Sequence, residues 1–69
     1  IKRGGNMPCI VNAANEVANA AFRKGQCSFL GMADIISKTM SQVSFDANPD
    51  LDVYLSTDRE ARKVAASYL

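Results

Sequence analysis

The sequence predicts an all-α domain, and three observations predict it. Apolar residues recur at the i, i+3, i+4 spacing of an α-helix along three stretches. No stretch shows the period-2 alternation of a half-buried strand. The breaks fall at glycine, at Asn-Pro and at capping residues. With 69 residues the chain forms one domain, residues 1–69, predicted as three helices plus a short helical segment. A chain of that length buries only about 60% of its unfolded surface, so its own core is marginal.

The first helix is predicted over about residues 7–24. Asn6 stands at the N-cap, Pro8 falls in the first turn where a missing N–H costs nothing, and Gly25 follows Arg23 and Lys24 as a stop. At about 100° per residue, Ile10, Val11, Ala14, Val17, Ala18, Ala21 and Phe22 share one broad face. Asn12, Asn15, Glu16, Asn19 and Arg23 gather on the opposite stripe. The second helix, about 31–43, places Met32, Ile35, Ile36, Met40 and Val43 inside, with Phe29 in phase ahead of it. Gly31 weakens its start by about 1 kcal/mol, which sets the predicted boundary there. Asn48-Pro49 then breaks the pattern, and a short helical segment is expected over about 50–55. Thr57 and Glu60 form a T-x-x-E capping box that opens a last helix, about 58–69, with Ala61, Val64, Ala65 and Tyr68 inward. Residues 1–5, Ile-Lys-Arg-Gly-Gly, read as the end of a preceding helix and its turn, because cations followed by glycine mark a helix C-terminus. The expectation is a fragment.

The asparagine stripe raises a question of energy. Each Asn within a helix costs roughly 0.6 kcal/mol relative to Ala, so three cost about 2 kcal/mol. They either mark the wet side of the helix or carry hydrogen bonds to a neighbouring helix or domain. Asn12 and Asn15 are the candidates for the second role.

Composition excludes several function classes. A net charge of +1 leaves no electrostatic footprint for nucleic acid and no polybasic membrane signal. No apolar run approaches the roughly 20 residues of a membrane span. Neither nucleic acid nor membrane is therefore expected as a partner. With no histidine, a Cys/His zinc site and Ser-His or Cys-His catalysis are excluded. Cys9 and Cys27 are expected to be reduced and buried. The acidic run DANPDLD (Asp46, Asp50, Asp52) lacks the central glycine and terminal glutamate of a calcium loop, and reads instead as carboxylates around a helix N-terminus. The Gly4-Gly5-Asn6 turn lacks the lysine and preceding strand of a phosphate loop. A helix-turn-helix reading fails for want of cations, since Lys38 is alone on the second helix and Asp34 accompanies it. Met7, Met32 and Met40 sit at core spacing. No catalytic, cofactor-binding or metal-binding residue is assigned.

The run GGNMPCIVNAANEVANAAF resembles the C-terminal domain of the 1-deoxy-D-xylulose 5-phosphate reductoisomerase family. The resemblance centres on Asn12-Ala13-Ala14-Asn15-Glu16, preceded by the glycine pair and closed by Ala21-Phe22. QCSFLGMADI is similar to the family's entry to the next helix, and LDVYLSTDREARKVA to its final segment. Leu30-Gly31 stands where the family often has a Thr-Asp cap, and Asn19 is a less usual choice at its position.

The resemblance implies that this chain is the tail of a larger enzyme. That family converts 1-deoxy-D-xylulose 5-phosphate to 2-C-methyl-D-erythritol 4-phosphate in non-mevalonate isoprenoid synthesis. It uses NADPH and Mg²⁺ or Mn²⁺, both held by domains N-terminal to this segment. The fragment itself is then non-catalytic, binds no cofactor, and has those N-terminal domains as its partners. It would supply the last three helices of a four-helix bundle, leaving an apolar groove that favours self-association of the fragment. The implied location is the bacterial cytoplasm, or the plastid in a plant or alga. The reading from a different class is a free-standing helical interaction module.

Overall fold

The computed structural model describes residues 4–69 and holds three helices: α1 (Met7–Arg23), α2 (Phe29–Gln42) and α3 (Leu51–Ala66). The all-α class stands, and no strand occurs among the described residues. Ile1-Lys2-Arg3, read above as a helix end, lie outside them.

α1 starts with Pro8 in its first turn and ends in a glycine-centred cap. Gly25, at φ 76°, lets its own N–H reach Phe22 O at 3.0 Å while Gln26 N–H reaches Ala21 O at 2.8 Å. This pair of bonds is a Schellman motif, which satisfies carbonyls the helix end would otherwise leave open.

α2 begins at Phe29, two residues before the predicted start. Ser28 is the N-cap, and its hydroxyl accepts from Gly31 N–H at 2.9 Å. A Cβ on Gly31 would stand 3.1 Å from that hydroxyl oxygen, so the glycine leaves room for the cap. Gly31 thus belongs to the helix start instead of delaying it.

α3 corrects the sequence reading more strongly. The predicted short helix over 50–55 and the separate helix over 58–69 are one continuous helix, ending at Ala66. Asp50 is the cap, accepting from Val53 N–H at 2.9 Å. Thr57 caps nothing; it is buried in mid-helix, where its hydroxyl accepts a hydrogen bond from Asn6 Nδ2. No glycine or proline lies between Leu51 and Ala66, so nothing stops the helix at residue 56.

α1 packs most extensively, against both other helices, and α2 and α3 also touch each other. Its buried residues are Ile10 and four alanines, Ala13, Ala14, Ala18 and Ala21. Ile10 and Ala13 pack with Val43 and Ala61, while Ala14 and Ala18 pack with Ile35 and Ala65. Alanine lets helices approach closely, but it offers little area for burial. Six of the nine buried apolar residues are alanine, whereas Phe22, Phe29, Leu30, Phe45, Leu51 and Leu55 are exposed. The small apolar side chains are inside, and most of the large ones are outside.

Candidate functional site: an apolar face and a buried polar clamp

The exposed large residues are placed by the same helical periods that build the core. α3 takes one flank of α1: Cys9 Sγ donates to Tyr54 O at 3.6 Å, and Glu16 pairs with Arg62 at 2.6 Å. On α2, Lys38 lies over the Tyr68 ring at 5.1 Å and Gln42 hydrogen-bonds the Tyr68 hydroxyl, so that flank meets the turn that follows α3. By helical spacing, Val11 and Phe22 on α1 and Phe29 and Met40 on α2 lie towards the other side, while Met7 and Ile36 are half-buried against the core. Phe22 and Phe29 join across the turn edge to face, with centroids 6.1 Å apart. Phe29 is 72% exposed and Leu30 beside it 80%. α1 and α2 therefore leave Phe22, Phe29, Leu30 and Met40 exposed, with half-buried Val11 beside them. Patches of this kind mark interaction surfaces.

The second feature is polar and buried. Asn6, 1% exposed, donates from Nδ2 to Ser44 O and to Thr57 Oγ1, both at 3.0 Å. Its Oδ1 accepts from Asp46 N–H at 2.8 Å, and its own N–H donates to Asp46 O at 2.9 Å. One side chain thereby ties the start of α1, the α2–α3 loop and the middle of α3 together. Gly5 makes the approach possible: at φ 55° it packs so close that a Cβ would stand 2.1 Å from Asp46 O. Of the amides that a phosphate loop would aim at an anion, the Asn6 N–H is turned onto the protein's own loop and the Met7 N–H donates back to Gly4 O. Sequence reasoning placed Asn6 at the N-cap, where it stands, but its side chain makes no cap bond.

The other candidate residues sit apart from any reacting arrangement. Asp46 Oδ1 accepts from Asn48 N–H at 2.9 Å to close a turn, and Asp50 caps α3, so two of the three acidic residues have local uses. Among the described residues, no three His, Cys, Asp or Glu side chains converge as a metal site requires. Cys9 and Cys27 are free thiols, half-buried where full burial was expected, and Cys27 Sγ donates to Ala18 O at 3.7 Å. Burial and then the nearby Asp58 push the Cys9 thiol up, against a smaller opposing pull from Arg62. It stays protonated at neutral pH and is a poor nucleophile. Asn12, Asn15 and Asn19 are all exposed, and their side chains make no hydrogen bond among the described residues. The asparagine that bridges elements inside this chain is Asn6, one residue ahead of α1 and outside the stripe.

The chain is 64% identical over 63 residues to a 1-deoxy-D-xylulose 5-phosphate reductoisomerase from Bacteroides fragilis. It is 60% identical over 67 residues to the enzyme from Bacteroides thetaiotaomicron, and 40% identical over 68 residues to that from Listeria monocytogenes. These alignments cover 91%, 97% and 99% of the chain, but only 16%, 17% and 18% of the relatives. The chain thus spans less than a fifth of their length. No solved structure matches it significantly. The model of the DXP reductoisomerase C-terminal domain matches residues 1–64, and the chain belongs to that family.

Proposed function

We infer that this chain works as the non-catalytic tail of an NADPH-dependent enzyme. The parent converts 1-deoxy-D-xylulose 5-phosphate to 2-C-methyl-D-erythritol 4-phosphate, in the bacterial cytoplasm or, in a plant or alga, the plastid. The observation that carries the reading is the inverted core: alanines buried, and Phe22, Phe29, Leu30 and Met40 left outside. Such a domain gains stability by adding its face to a larger apolar core. The residues present do not fit NADPH or a divalent cation, since Asp46 and Asp50 are used locally and no strand leads into a glycine-rich turn among the described residues. Those groups belong to the rest of the parent, and so does the chemistry.

The apolar face of α1 and α2 is the seat for the preceding part of the same polypeptide. When this chain is made alone, a second copy is expected to take that place. Sedimentation velocity on the 69-residue chain should show self-association that strengthens with concentration, and a melting temperature that rises with it. A monomer with a sharp, concentration-independent melt would contradict the reading. It would instead favour a self-sufficient helical module.

A further inference from the structure

Asn12 and Asn15 stand at the edge of the apolar face. With Gly4, Met7, Pro8 and Val11 they line a concavity of about 600 Å³ on the outer side of α1. Its lining is mixed in a particular way, with Met7 and Val11 half-buried and the two amides exposed beside them. Gly4 forms part of its wall, so the main chain enters the described structure at this concavity. The two asparagines are three residues apart, which puts their side chains side by side on one flank of the helix. Each offers two donors and one acceptor. Neither residue favours a helix, so their presence in α1 is not explained by local folding.

We propose that Asn12 and Asn15 are interface residues that hydrogen-bond the stretch of the parent polypeptide immediately preceding this chain. That stretch folds back over α1, sets its apolar side on Met7 and Val11, and offers polar groups to the two amides. The proposal rests on the docking reading given above and deepens it. An apolar face alone fixes no register, because a docked segment can slide along it with little change in buried area. Two adjacent amides beside an apolar floor fix one position, since any slip of a docked segment leaves their partners desolvated and unpaired.

The test uses the full-length parent enzyme carrying Asn12→Ala, Asn15→Ala or Val11→Ser. Each asparagine variant is expected to melt about 2–4 °C lower, although alanine is the better helix former. Peptide-resolved hydrogen exchange should then show faster exchange in the residues just before Ile1, and not elsewhere in the parent. An unchanged or raised melting temperature in both asparagine variants overturns the proposal. Faster exchange confined to some other part of the parent overturns it too. Val11→Ser separates the two levels of inference. If it lowers the melting temperature while the asparagine variants do not, docking stands and the amides are solvent residues. If none of the three variants changes stability or exchange, the docking reading has failed as well.

Discussion

Asn6→Ala is expected to bring this chain close to its unfolding midpoint at room temperature. The substitution removes two donated bonds and one accepted bond from a side chain that is 1% exposed. Ser44 O, the Thr57 hydroxyl and the Asp46 N–H are left in or near the interior without their partner. At roughly 1 kcal/mol or more for each, the loss is about 3 kcal/mol. A chain of this length has a total stability of only about 3–10 kcal/mol, and an alanine-rich core places it low in that range. Urea titration followed by helical circular dichroism reads the effect as a collapse of the midpoint. Asn6→Asp is the informative companion. When protonated, its carboxyl group matches the amide in shape and can still donate to Ser44 O. When ionised, it sets a buried charge against that carbonyl, so its folded-state pKa is raised above the ordinary value of about 3.9. A raised folded pKa contributes stability at low pH that is lost as pH rises. The gap between Asn6→Asp and the unmodified chain should therefore narrow as pH falls towards 4. A gap that stays constant with pH would show that the side chain is wetter than its burial states.

Gly5→Ala should rival that effect for a different reason. At φ 55° an L-residue pays about 1–2 kcal/mol for the left-handed region. The added Cβ would also stand 2.1 Å from Asp46 O and 2.8 Å from Ala47 Cα, and both are backbone atoms that no rotamer change can move aside. Overpacking of this kind adds about 1–3 kcal/mol. Relief requires the α2–α3 loop to retreat, which breaks the Asn6 N–H to Asp46 O bond and loosens the clamp. Gly25→Ala is the control, because its φ is 76° and a Cβ there meets nothing within 4 Å. Only the backbone term remains, so its urea midpoint should fall much less than that of Gly5→Ala. Equal losses would show that the close approach of Gly5 to the loop contributes nothing.

These two residues also mark where sequence reasoning reached and where it stopped. The ends of α1 were legible because their signals are local: Pro8 in the first turn, Gly25 just past the Lys24 cap. The start of α2 was misplaced because Gly31 was weighed as a poor helix former, when it sits in the first turn under the Ser28 cap. The split of α3 came from a motif that reads the same in two situations. T-x-x-E marks a helix start when the threonine caps, and marks nothing when its hydroxyl is taken by a residue 51 positions away. No local pattern distinguishes those cases. The clamp was half visible: the position of Asn6 followed from capping preference, but its partners lie 38 to 51 residues away and only the packing of three helices brings them to it. Helical periodicity alone put Phe22, Phe29 and Met40 on inner faces, and an uncovered groove followed only from the resemblance to a four-helix bundle short of one helix. Its location on the side of α1 and α2 away from α3 depended on the way α3 pairs through Glu16–Arg62 and Tyr68.

The central claim is that the α1–α2 face is interior in the parent enzyme. Hydroxyl-radical footprinting of the full-length parent, with rates resolved for Phe22, Phe29 and Met40, tests it most directly. The account predicts that all three react several-fold more slowly in the folded parent than in the urea-unfolded one, as buried side chains do. Rates for Phe29 close to those of the unfolded parent, in keeping with its 72% exposure in this chain alone, would contradict it.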